Sequence, residues 1–363
     1  MIRRVALVGT GLVGGSVGLA LAARGIEVHG YDRDPARADR AKELGAVSVV
    51  AASIEEAVRD VDAVVVAVPV GNIVPVAVAA LDAGARIVTD VGSVKAPVVA
   101  AVERARPDLA TRFVGGHPMA GSEQDGLDGA DADLFVRATW VLTPTERTDP
   151  DAFSALRSLI VSLGAEVVAV APEHHDALVA VVSHVPQLAA STLMDVAAAR
   201  GDEHATLLRL AAGGFRDMTR IAAGQPEIWP DICVANRDAI LAALDGYVDA
   251  LTSVRALVDA SDRRGLLDVL ERARRARRNL PTGMAPDEAL VELRVPVPDR
   301  PGVLAEVTTL AGRLGVNIAD LEIAHSMEGH AGVLVLVVAA SGAGDLESGL
   351  TELGYRVSRS AIS

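Results

Sequence analysis

The sequence predicts three successive folds along the chain: an α/β domain built on a parallel sheet, an all-helical domain and a small α+β domain. In residues 1–170, short Val- and Ile-rich runs alternate with helical patterns, as in a sheet whose parallel strands are joined by helices. In residues 171–280, long Ala-, Leu- and Val-rich helical segments carry almost no strand signal. Residues 289–363 return to mixed strands and helices, which indicates a separate small domain.

The first domain is predicted to hold short apolar strands bounded by turn residues. These strands are Arg3–Val8, Glu27–Tyr31, Ala63–Val68, Arg86–Asp90, Arg112–Gly115 and Thr139–Thr143. Helices are expected between them, for instance Leu12–Arg24, Pro35–Leu44 and Val94–Arg104, with another beginning near Asp151.

The second domain contains two segments, Ala177–Arg200 and Ile232–Asp259, that exceed the usual length of a globular helix. Their wide apolar faces predict burial against a second copy of the chain, and hence a homodimer. Two prolines and a glycine in Asn279–Pro286 mark a boundary, and we assign residues 281–288 to a linker.

The third domain follows the strand and helix order of a ferredoxin-like, split βαβ fold. The predicted elements are strand Ala289–Val297, helix Gly302–Leu314, strands Val316–Ile323 and Gly332–Ala339, helix Asp345–Leu353 and strand Tyr355–Ser360.

Composition and charge argue against several classes of protein. A net charge of −14 disfavours a nucleic-acid partner, because backbone phosphates are bound by clustered Lys and Arg side chains. No segment approaches ~20 apolar residues without Gly, Pro or charge, so no membrane span is predicted. The N-terminal run lacks the pattern of a signal peptide, and the single cysteine, Cys233, fits a reducing compartment, so a cytoplasmic location is expected.

The stretch "VALVGTGLVGGS" predicts a dinucleotide-binding Rossmann domain, because Gly9, Gly11 and Gly14 lie after a strand and at the start of a helix. The first glycine permits a tight turn, the second lets backbone approach a pyrophosphate, and the third lets helix and strand pack closely. Leu12 opens the helix whose free N–H groups would face the phosphates. The alternative for the glycines is a tight turn without a ligand.

Asp32 ends the second predicted strand, where a carboxylate accepts hydrogen bonds from an adenosine ribose. Its charge would repel a 2′-phosphate, so NAD is favoured over NADP, although the neighbouring Arg33 softens that exclusion. The alternative is a residue that merely ends the strand.

Two polar side chains follow strands on the predicted cofactor side of the sheet. Ser93, in "TDVGSVKAP", comes just after a strand, where ligands of open α/β sheets gather, but it would serve equally well as the N-cap of a helix starting at Val94. His117, in "GGHPMAGSE", follows the next strand and is either a base or a turn histidine bonded to backbone.

The helical domain offers further histidines. His184 comes two residues before Pro186 in an apolar helix, and a buried polar side chain there needs a partner or a ligand, so a functional role is favoured. His174 and His175 are adjacent at a helix start and point to different helix faces, so no metal site is predicted.

A charged cluster lies in "GGFRDMTRIAAGQPEIWPDI". Arg216 and Arg220 are four residues apart and so share one helix face, with Asp217 between them. Two arginines on one face could clamp a dicarboxylate bidentately, and the alternative is a surface ion-pair network.

Residues 1–280 resemble the prephenate/arogenate dehydrogenase family of tyrosine biosynthesis through "GTGLVGGS", "TDVGSVK", "GGHPMAGSE", "SHVPQ" and "GGFRDMTRIA", in that order. The resemblance implies a Rossmann domain and an all-helical dimerisation domain, with the active site between them. It implies NAD-dependent oxidative decarboxylation of prephenate to 4-hydroxyphenylpyruvate, CO₂ and NADH. The alternative substrate is arogenate, which would give tyrosine directly.

The resemblance also implies residue roles. His117 is expected to accept a hydrogen bond from the substrate's C4 hydroxyl as the catalytic base, and Ser93 is expected beside that hydroxyl and the nicotinamide. Arg220 is expected to bind a substrate carboxylate. The other residues implied to line the substrate pocket or to lie near its entrance are His184, Arg216, Asp217, Glu123 and Trp229. Many members read His-x-Pro-His where this chain has Gln187, which leaves the role of that position open.

The tail, residues 289–363, resembles an ACT domain, a small regulatory module that binds amino acids. The residues that carry this match, and that we assign as regulatory, are Arg300, Pro301, Gly302, Val303, Leu304, Asn317 and Ile318. Feedback by tyrosine is the natural hypothesis, and a purely oligomerising tail is the alternative.

Two other functions remain as alternatives. A non-catalytic sensor of nucleotide and amino acid would leave Ser93, His117 and the arginines without a task. A β-hydroxyacid dehydrogenase shares the fold logic, but "GGHPMAGSE" and the ACT-like tail count against it.

Overall fold

The structure is a computed structural model and describes residues 2–121, 126–199, 212–278, 290–298, 300–325 and 331–361. The chain divides into two compact units, one up to Arg255 and one from Ala256 onwards. The predicted linker, residues 281–288, lies outside the described residues.

The first unit is organised around an eight-stranded sheet. Its strands are β1 (Arg4–Val8), β2 (Glu27–Tyr31), β3 (Val49–Val50), β4 (Ala63–Val66), β5 (Val88–Asp90), β6 (Phe113–Pro118), β7 (Thr139–Thr143) and β8 (Glu166–Ala169). They lie in the order β3-β2-β1-β4-β5-β6-β7-β8, and neighbours run parallel except for β6 and β7. The predicted α/β sheet is confirmed. Strands β3 and β8 were not predicted, because they are short: β3 has two residues and β8 has four.

Helices cover both faces of this sheet. They are α1 (Leu12–Ala22), α2 (Pro35–Glu43), α3 (Ile54–Val58), α4 (Val70–Asp82), α5 (Ala96–Ala105) and α6 (Pro150–Ser162). In the central strand β1, Val5 and Leu7 join one hydrophobic cluster while Ala6 and Val8 join the other, and all four are at most 2% exposed. A strand buried on both faces reads as a continuous apolar run, which is why β1 was recognisable from sequence.

The rest of the first unit is helical, as predicted. The elements are α7 (Pro172–Val179), a π-helical turn (Ala180–His184), α8 (Val185–Ala198), α9 (Gly213–Thr219), 3₁₀ turns at Arg220–Ala223 and Pro226–Ile228, α10 (Trp229–Ala235) and α11 (Arg237–Asp259). Both long segments predicted as single helices are therefore interrupted. The π turn precedes Pro186, which lacks a backbone N–H and crowds the preceding turn, and the second interruption is at Asn236.

One helical run in the described part of the chain, Pro172–Ala198, is long and apolar enough to cross a membrane by length and composition alone, although the sequence predicted no such segment. In the structure this run contributes three buried polar side chains, His175, Asp176 and His184, to contacts with the rest of the first unit.

The second unit begins within α11 and contains the small α+β fold. Its further elements are α12 (Arg263–Arg278), β9 (Leu290–Pro298), α13 (Val303–Arg313), β10 (Ile318–His325), β11 (Ala331–Ala339), α14 (Ala340–Glu352) and β12 (Ser358–Ala361). The four strands form an antiparallel sheet of order β10-β11-β9-β12, which confirms the predicted ferredoxin-like order. Leu293, Val307 and Leu346, all fully buried, join the sheet to its two helices.

Candidate active site

The glycine-rich turn after β1 is as crowded as its glycines predict. Gly9 has a φ of +96°, and a Cβ there would lie 2.3 Å from the carbonyl oxygen of Ala67. A Cβ at Gly14 would lie 2.2 Å from the carbonyl oxygen of Gly9, so α1 can approach β1 this closely only with glycine there. At Gly11, the N-cap before Leu12, no heavy atom of the described residues beyond its chain neighbours lies within 4 Å of the Cβ position. That open space at a helix N-terminus suits the phosphates of a dinucleotide.

Asp32 follows β2 and faces this turn. One carboxylate oxygen accepts hydrogen bonds from the backbone N–H of Thr10 at 2.8 Å and from its hydroxyl at 3.0 Å. The other oxygen accepts the backbone N–H of Asp34 at 3.0 Å, and Arg33 beside it is exposed. The carboxylate is therefore held where Rossmann domains bind the adenosine ribose. Sequence reasoning did not find Thr10, although it stands inside the glycine motif.

His117 lies inside strand β6, whereas the sequence predicted that the strand ends at Gly115. Pairing with antiparallel β7 extends the strand to Pro118 and sets His117 opposite Val141. The half-buried imidazole has its Nδ1 2.9 Å from Nε2 of His175. The alternative of a turn histidine is therefore wrong, since the residue is in a sheet and its ring contacts another side chain.

His175 and Asp176, near the start of α7, connect the helical part to the sheet. Asp176 Oδ1 lies 2.8 Å from His175 Nδ1 and accepts the backbone N–H of Lys95 at 2.8 Å. Its Oδ2 accepts the backbone N–H of Ala96, also at 2.8 Å. The sequence placed His175 correctly at a helix start but gave it no role, because nothing local shows that α7 meets β6.

Ser93 lies half-buried in the connection between β5 and α5. The N-cap alternative for Ser93 is wrong, because α5 begins at Ala96 rather than at Val94 and its first N–H groups are capped by the Asp176 carboxylate. Ser93 therefore remains in the loop that follows a strand neighbouring β6, on the sheet edge where ligands gather.

A fully buried ion pair supports both of these segments. Lys95 and Asp90 are 0% exposed, and the Lys95 ammonium donates to the Asp90 carboxylate and, at 2.8 Å, to the carbonyl oxygen of Gly116. Asp90 also accepts the backbone N–H of Gly116 at 3.1 Å. The pair thus ties the β5–α5 connection to the residue before His117. Both residues stand in "TDVGSVK", and an Asp and a Lys in an otherwise apolar segment were the overlooked signal.

His184 ends the π-helical turn and is 1% exposed. Its Nδ1 lies 3.2 Å from Nδ2 of Asn236, which also donates to the backbone carbonyl of Asp176 at 2.9 Å. Its Nε2 is buried without a hydrogen-bond partner among the described residues. Trp229 presents its ring edge-on, with centroids 6.1 Å apart. A buried, unsatisfied ring nitrogen beside an aromatic wall fits a ligand contact.

Arg216, Asp217 and Arg220 are exposed side chains at the end of α9. The α-helix ends at Thr219 and Arg220 begins a 3₁₀ turn, so the single regular helix predicted for the two arginines is wrong. The α9 helix and this turn pack against α8, which directly follows His184. The charged cluster is thus brought to the helical wall that carries His184.

Gln187 and Glu123 are the two remaining positions of the predicted substrate site. Gln187 is buried in the first turns of α8, and its side-chain amide donates to the hydroxyl of Ser191 at 3.4 Å. Glu123 lies outside the described residues. Among the residues that are described, no three His, Cys, Asp or Glu side chains are grouped to hold a metal ion.

Both site histidines are neutral near pH 7. Burial lowers the pKa of His117 well below its ordinary value of 6.5, and the charge of Lys95 acts in the same direction, as do His175 and His184 when they are protonated. Burial lowers the pKa of His184 to about 4, against the opposing effect of Asp176. A neutral imidazole at His117 is the form that can accept a proton.

The predicted regulatory residues of the second unit surround the start of α13. Gly302 has a φ of +92°, which favours glycine, and it precedes buried Val303 and exposed Leu304. Arg300, next to Pro301, donates to the Glu306 carboxylate at 2.9 Å, and the Tyr355 hydroxyl donates to the same oxygen at 2.9 Å. Asn317 is exposed just before β10, which starts at Ile318.

Three family models match the chain in order. Residues 17–169 match the nucleotide-binding domain of prephenate dehydrogenase, and residues 171–272 match its dimerization domain. Residues 291–355 match the ACT domain.

Known proteins resemble the chain over most of its length. It is 34% identical over 338 residues to a prephenate dehydrogenase of Bacillus subtilis, covering 91% of this chain and 90% of that protein. The solved prephenate dehydrogenase of Aquifex aeolicus, in complex with hydroxyphenyl propionate and NAD⁺, is 30% identical with a TM-score of 0.72, over 77% of this chain and 99% of that one. The Synechocystis arogenate dehydrogenase is 32% identical with a TM-score of 0.66, over 76% and 98% of the two chains.

Proposed function

The chain belongs to the prephenate dehydrogenase family, and we propose that it catalyses the NAD⁺-dependent oxidative decarboxylation of prephenate to 4-hydroxyphenylpyruvate and CO₂. The observation that carries the proposal is the half-buried, neutral His117, on a strand at the cofactor side of the sheet and in contact with His175. A Rossmann domain opens its cofactor crevice between β1 and β4, and strand β6, which carries His117, lies two strands from β4.

NAD⁺ supplies the acceptor for the hydride that leaves C4 of the substrate. The turn at Gly9, Gly11 and Gly14 would hold its pyrophosphate, and Asp32 its adenosine ribose. His117 takes the proton of the C4 hydroxyl as the C4–H bond breaks, and Ser93 orients that hydroxyl. The bond from C1 to the ring carboxylate breaks to release CO₂, and its electron pair completes the aromatic ring. The proton on His117 then returns to the C4 oxygen, which gives the phenol of 4-hydroxyphenylpyruvate.

The substrate carboxylates need cationic or hydrogen-bonding partners on the helical side. We assign Arg220 to one carboxylate, with Arg216 and Asp217 at the entrance, because their segment packs beside the helix that follows His184. His184 and Trp229 line the pocket, and Glu123 is assigned to the same region from the motif "GGHPMAGSE".

The test is a comparison of kcat/KM for prephenate and arogenate, each with NAD⁺ and NADP⁺. The proposal expects the highest kcat/KM with prephenate and NAD⁺. A higher value with arogenate would identify the chain as an arogenate dehydrogenase, and no NADH formation with either substrate would contradict both.

Replacing Asp32 by Ser should weaken NAD⁺ and relax the discrimination against NADP⁺. Loss of a charge-assisted hydrogen bond costs about 1.5–3 kcal/mol, so the KM for NAD⁺ should rise about 10- to 100-fold. The KM for NADP⁺ should fall, because a negative charge no longer faces the 2′-phosphate. Steady-state kinetics with both cofactors measures this, and Asp34→Ser, at an exposed helix cap, is the matched control. Equal effects of the two variants would remove Asp32 from the cofactor site.

We also propose that the chain is a cytoplasmic homodimer associated through the helical domain. Valines and leucines are exposed on these helices, including Val182 at 65%, Val234 at 77% and Val248 at 55%. An apolar cavity of about 510 Å³ opens between α8 and α11, lined by Val185, Met218 and Tyr247 among others. Sedimentation velocity of the full chain tests the association.

The ACT domain is proposed to bind tyrosine and to inhibit the reaction. Isothermal titration of the intact protein with tyrosine should show saturable binding, and tyrosine should lower prephenate turnover. Gly302→Val should weaken binding, because a β-branched residue is strained at a φ of +92° beside the proposed loop. Gly344→Val, within α14 and away from that loop, is the control. A tail that binds no aromatic amino acid would be an oligomerisation module instead.

A further inference from the structure

We infer that His175, Asp176 and Asn236 set the two site histidines in opposite tautomers, so that His117 presents a bare Nε2 and His184 presents an Nε2–H. None of these three residues touches the reacting atoms in the proposed function, so they are positioning residues. The tautomers themselves do not depend on the proposed function. Only the roles of the two Nε2 atoms do: the atom of His117 accepts a proton and that of His184 donates to the substrate.

The tautomer of His117 follows from a chain of hydrogen bonds that begins at a carboxylate. Asp176 can only accept, and it takes the N–H groups of Lys95 and Ala96 in addition to His175 Nδ1. In its neutral form, His175 therefore carries its proton on Nδ1 and accepts at Nε2. The ring atom 2.9 Å away, Nδ1 of His117, must then be the donor. Neutral His117 is left with its lone pair on Nε2, which is the atom a general base uses.

The tautomer of His184 follows from Asn236 in the same way. The backbone carbonyl of Asp176 can only accept, so the Asn236 amide atom 2.9 Å from it is the NH₂ group. That NH₂ group also lies 3.2 Å from His184 Nδ1, which therefore accepts. Neutral His184 must then hold its proton on Nε2, the buried atom without a partner in the described part of the chain. An N–H there can donate to a carbonyl or carboxylate oxygen of the substrate.

Asp176 is the common point of the two arrangements. Its side chain orients His175 and caps α5, and its main-chain carbonyl orients Asn236. One turn of α7 thereby orients both rings, so that Nε2 of His117 on the sheet is an acceptor and Nε2–H of His184 in the helical part is a donor. Because hydrogen-bond partners on the far side of an imidazole fix its tautomer, a base and a donor can be built from the same residue type.

The direct test is nuclear magnetic resonance of the full chain labelled with ¹⁵N-histidine. Long-range ¹H–¹⁵N correlation distinguishes a protonated from a bare ring nitrogen, and His117→Asn and His184→Asn identify the two rings. We expect a protonated Nδ1 in His117 and a protonated Nε2 in His184 at pH 7.5. Finding the same tautomer in both rings would overturn the inference whether or not the protein turns over prephenate.

Kinetics provides the second readout. His175→Leu should lower kcat about 10²- to 10⁴-fold, because His117 loses its orienting acceptor, with little change in the KM for prephenate. His175→Gln should recover to within about tenfold, since the Gln carbonyl can accept from His117 Nδ1. The neighbouring exposed His174→Leu is the matched control and should match the unsubstituted protein. Equal rates for the Leu variants at positions 174 and 175 would contradict the inference.

Asn236→Asp should act on the other histidine. A carboxylate there accepts from Nδ1 of His184 and removes the enforced Nε2–H tautomer, so the KM for prephenate should rise more than kcat falls. The same ¹⁵N spectrum should show His184 protonated at Nδ1 while His117 keeps its tautomer. A variant with His184 still protonated only at Nε2 would show that Asn236 does not set it. If the wild-type tautomers are as stated and prephenate is not a substrate, the proposed function fails while the positioning network stands.

Discussion

Replacing His117 by Asn should lower kcat about 10²- to 10⁴-fold while leaving the KM for prephenate within about threefold of its original value. Asn has nearly the shape of the ring edge but cannot accept the C4 hydroxyl proton, so only the step that needs a base is lost. Single-turnover measurement of NADH formation isolates that step. His174→Asn, on an exposed position of α7, controls for the general cost of removing a histidine. A variant with the original kcat would remove His117 from the mechanism.

The pH profile of kcat/KM for the unsubstituted protein should also show that the reaction needs a neutral His117. Because burial and neighbouring Lys95, His175 and His184 lower the pKa of His117, it stays neutral well below pH 6.5, and the acid limb of kcat/KM should fall below that pH. In the unfolded chain the ring regains its ordinary pKa, so the unfolded state binds more protons in this window. The free energy of unfolding should therefore decrease as the pH falls below 6.5. His184, with a pKa of about 4, contributes in the same direction.

The sequence predicted those strands, helices and turns whose residues form a recognisable pattern within a short stretch of chain. Strand β1 is a continuous apolar run, and the glycines after it are each accounted for by a turn, an open helix terminus or a close approach. The ferredoxin-like tail was recognisable from element order alone. These features depend on residues that are near one another in the chain.

The rest of the site depends on contacts between distant segments. His117 became a strand residue because β7, more than twenty positions later, pairs with β6. His175 and Asp176 gained their roles because α7 packs where α5 begins, which no periodicity in either segment indicates. The interruption at Asn236 likewise places an amide between Asp176 and His184. The motifs and the family resemblance therefore pointed to candidate reacting groups, but not to the groups that we propose orient them.

Replacing Lys95 by Met should reduce the free energy of unfolding by about 3–5 kcal/mol, the cost of leaving a buried carboxylate without its cation. Asp90 would keep the N–H donors of Gly92 and Gly116 but lose the ammonium, and at 0% exposure water cannot replace it. Denaturant unfolding followed by tryptophan fluorescence measures the change. Trp140 lies on β7 beside β6, and since the chain has two tryptophans, a Trp229→Phe background makes it the sole reporter.

Charge and volume can be separated with two further variants. Asp90→Asn combined with Lys95→Met removes the buried charge but keeps an acceptor for the N–H of Gly116, and it should recover a large part of the loss. Arg40→Met breaks an ion pair with Asp128 whose side chains are 48% and 76% exposed, so it should cost at most about 1 kcal/mol. If Lys95→Met cost no more than Arg40→Met, the buried pair would not hold the β5–α5 connection to β6. In that case the placement of Ser93 and His117 would have to depend on the Asp176 cap and the pairing of β6 with β7 instead.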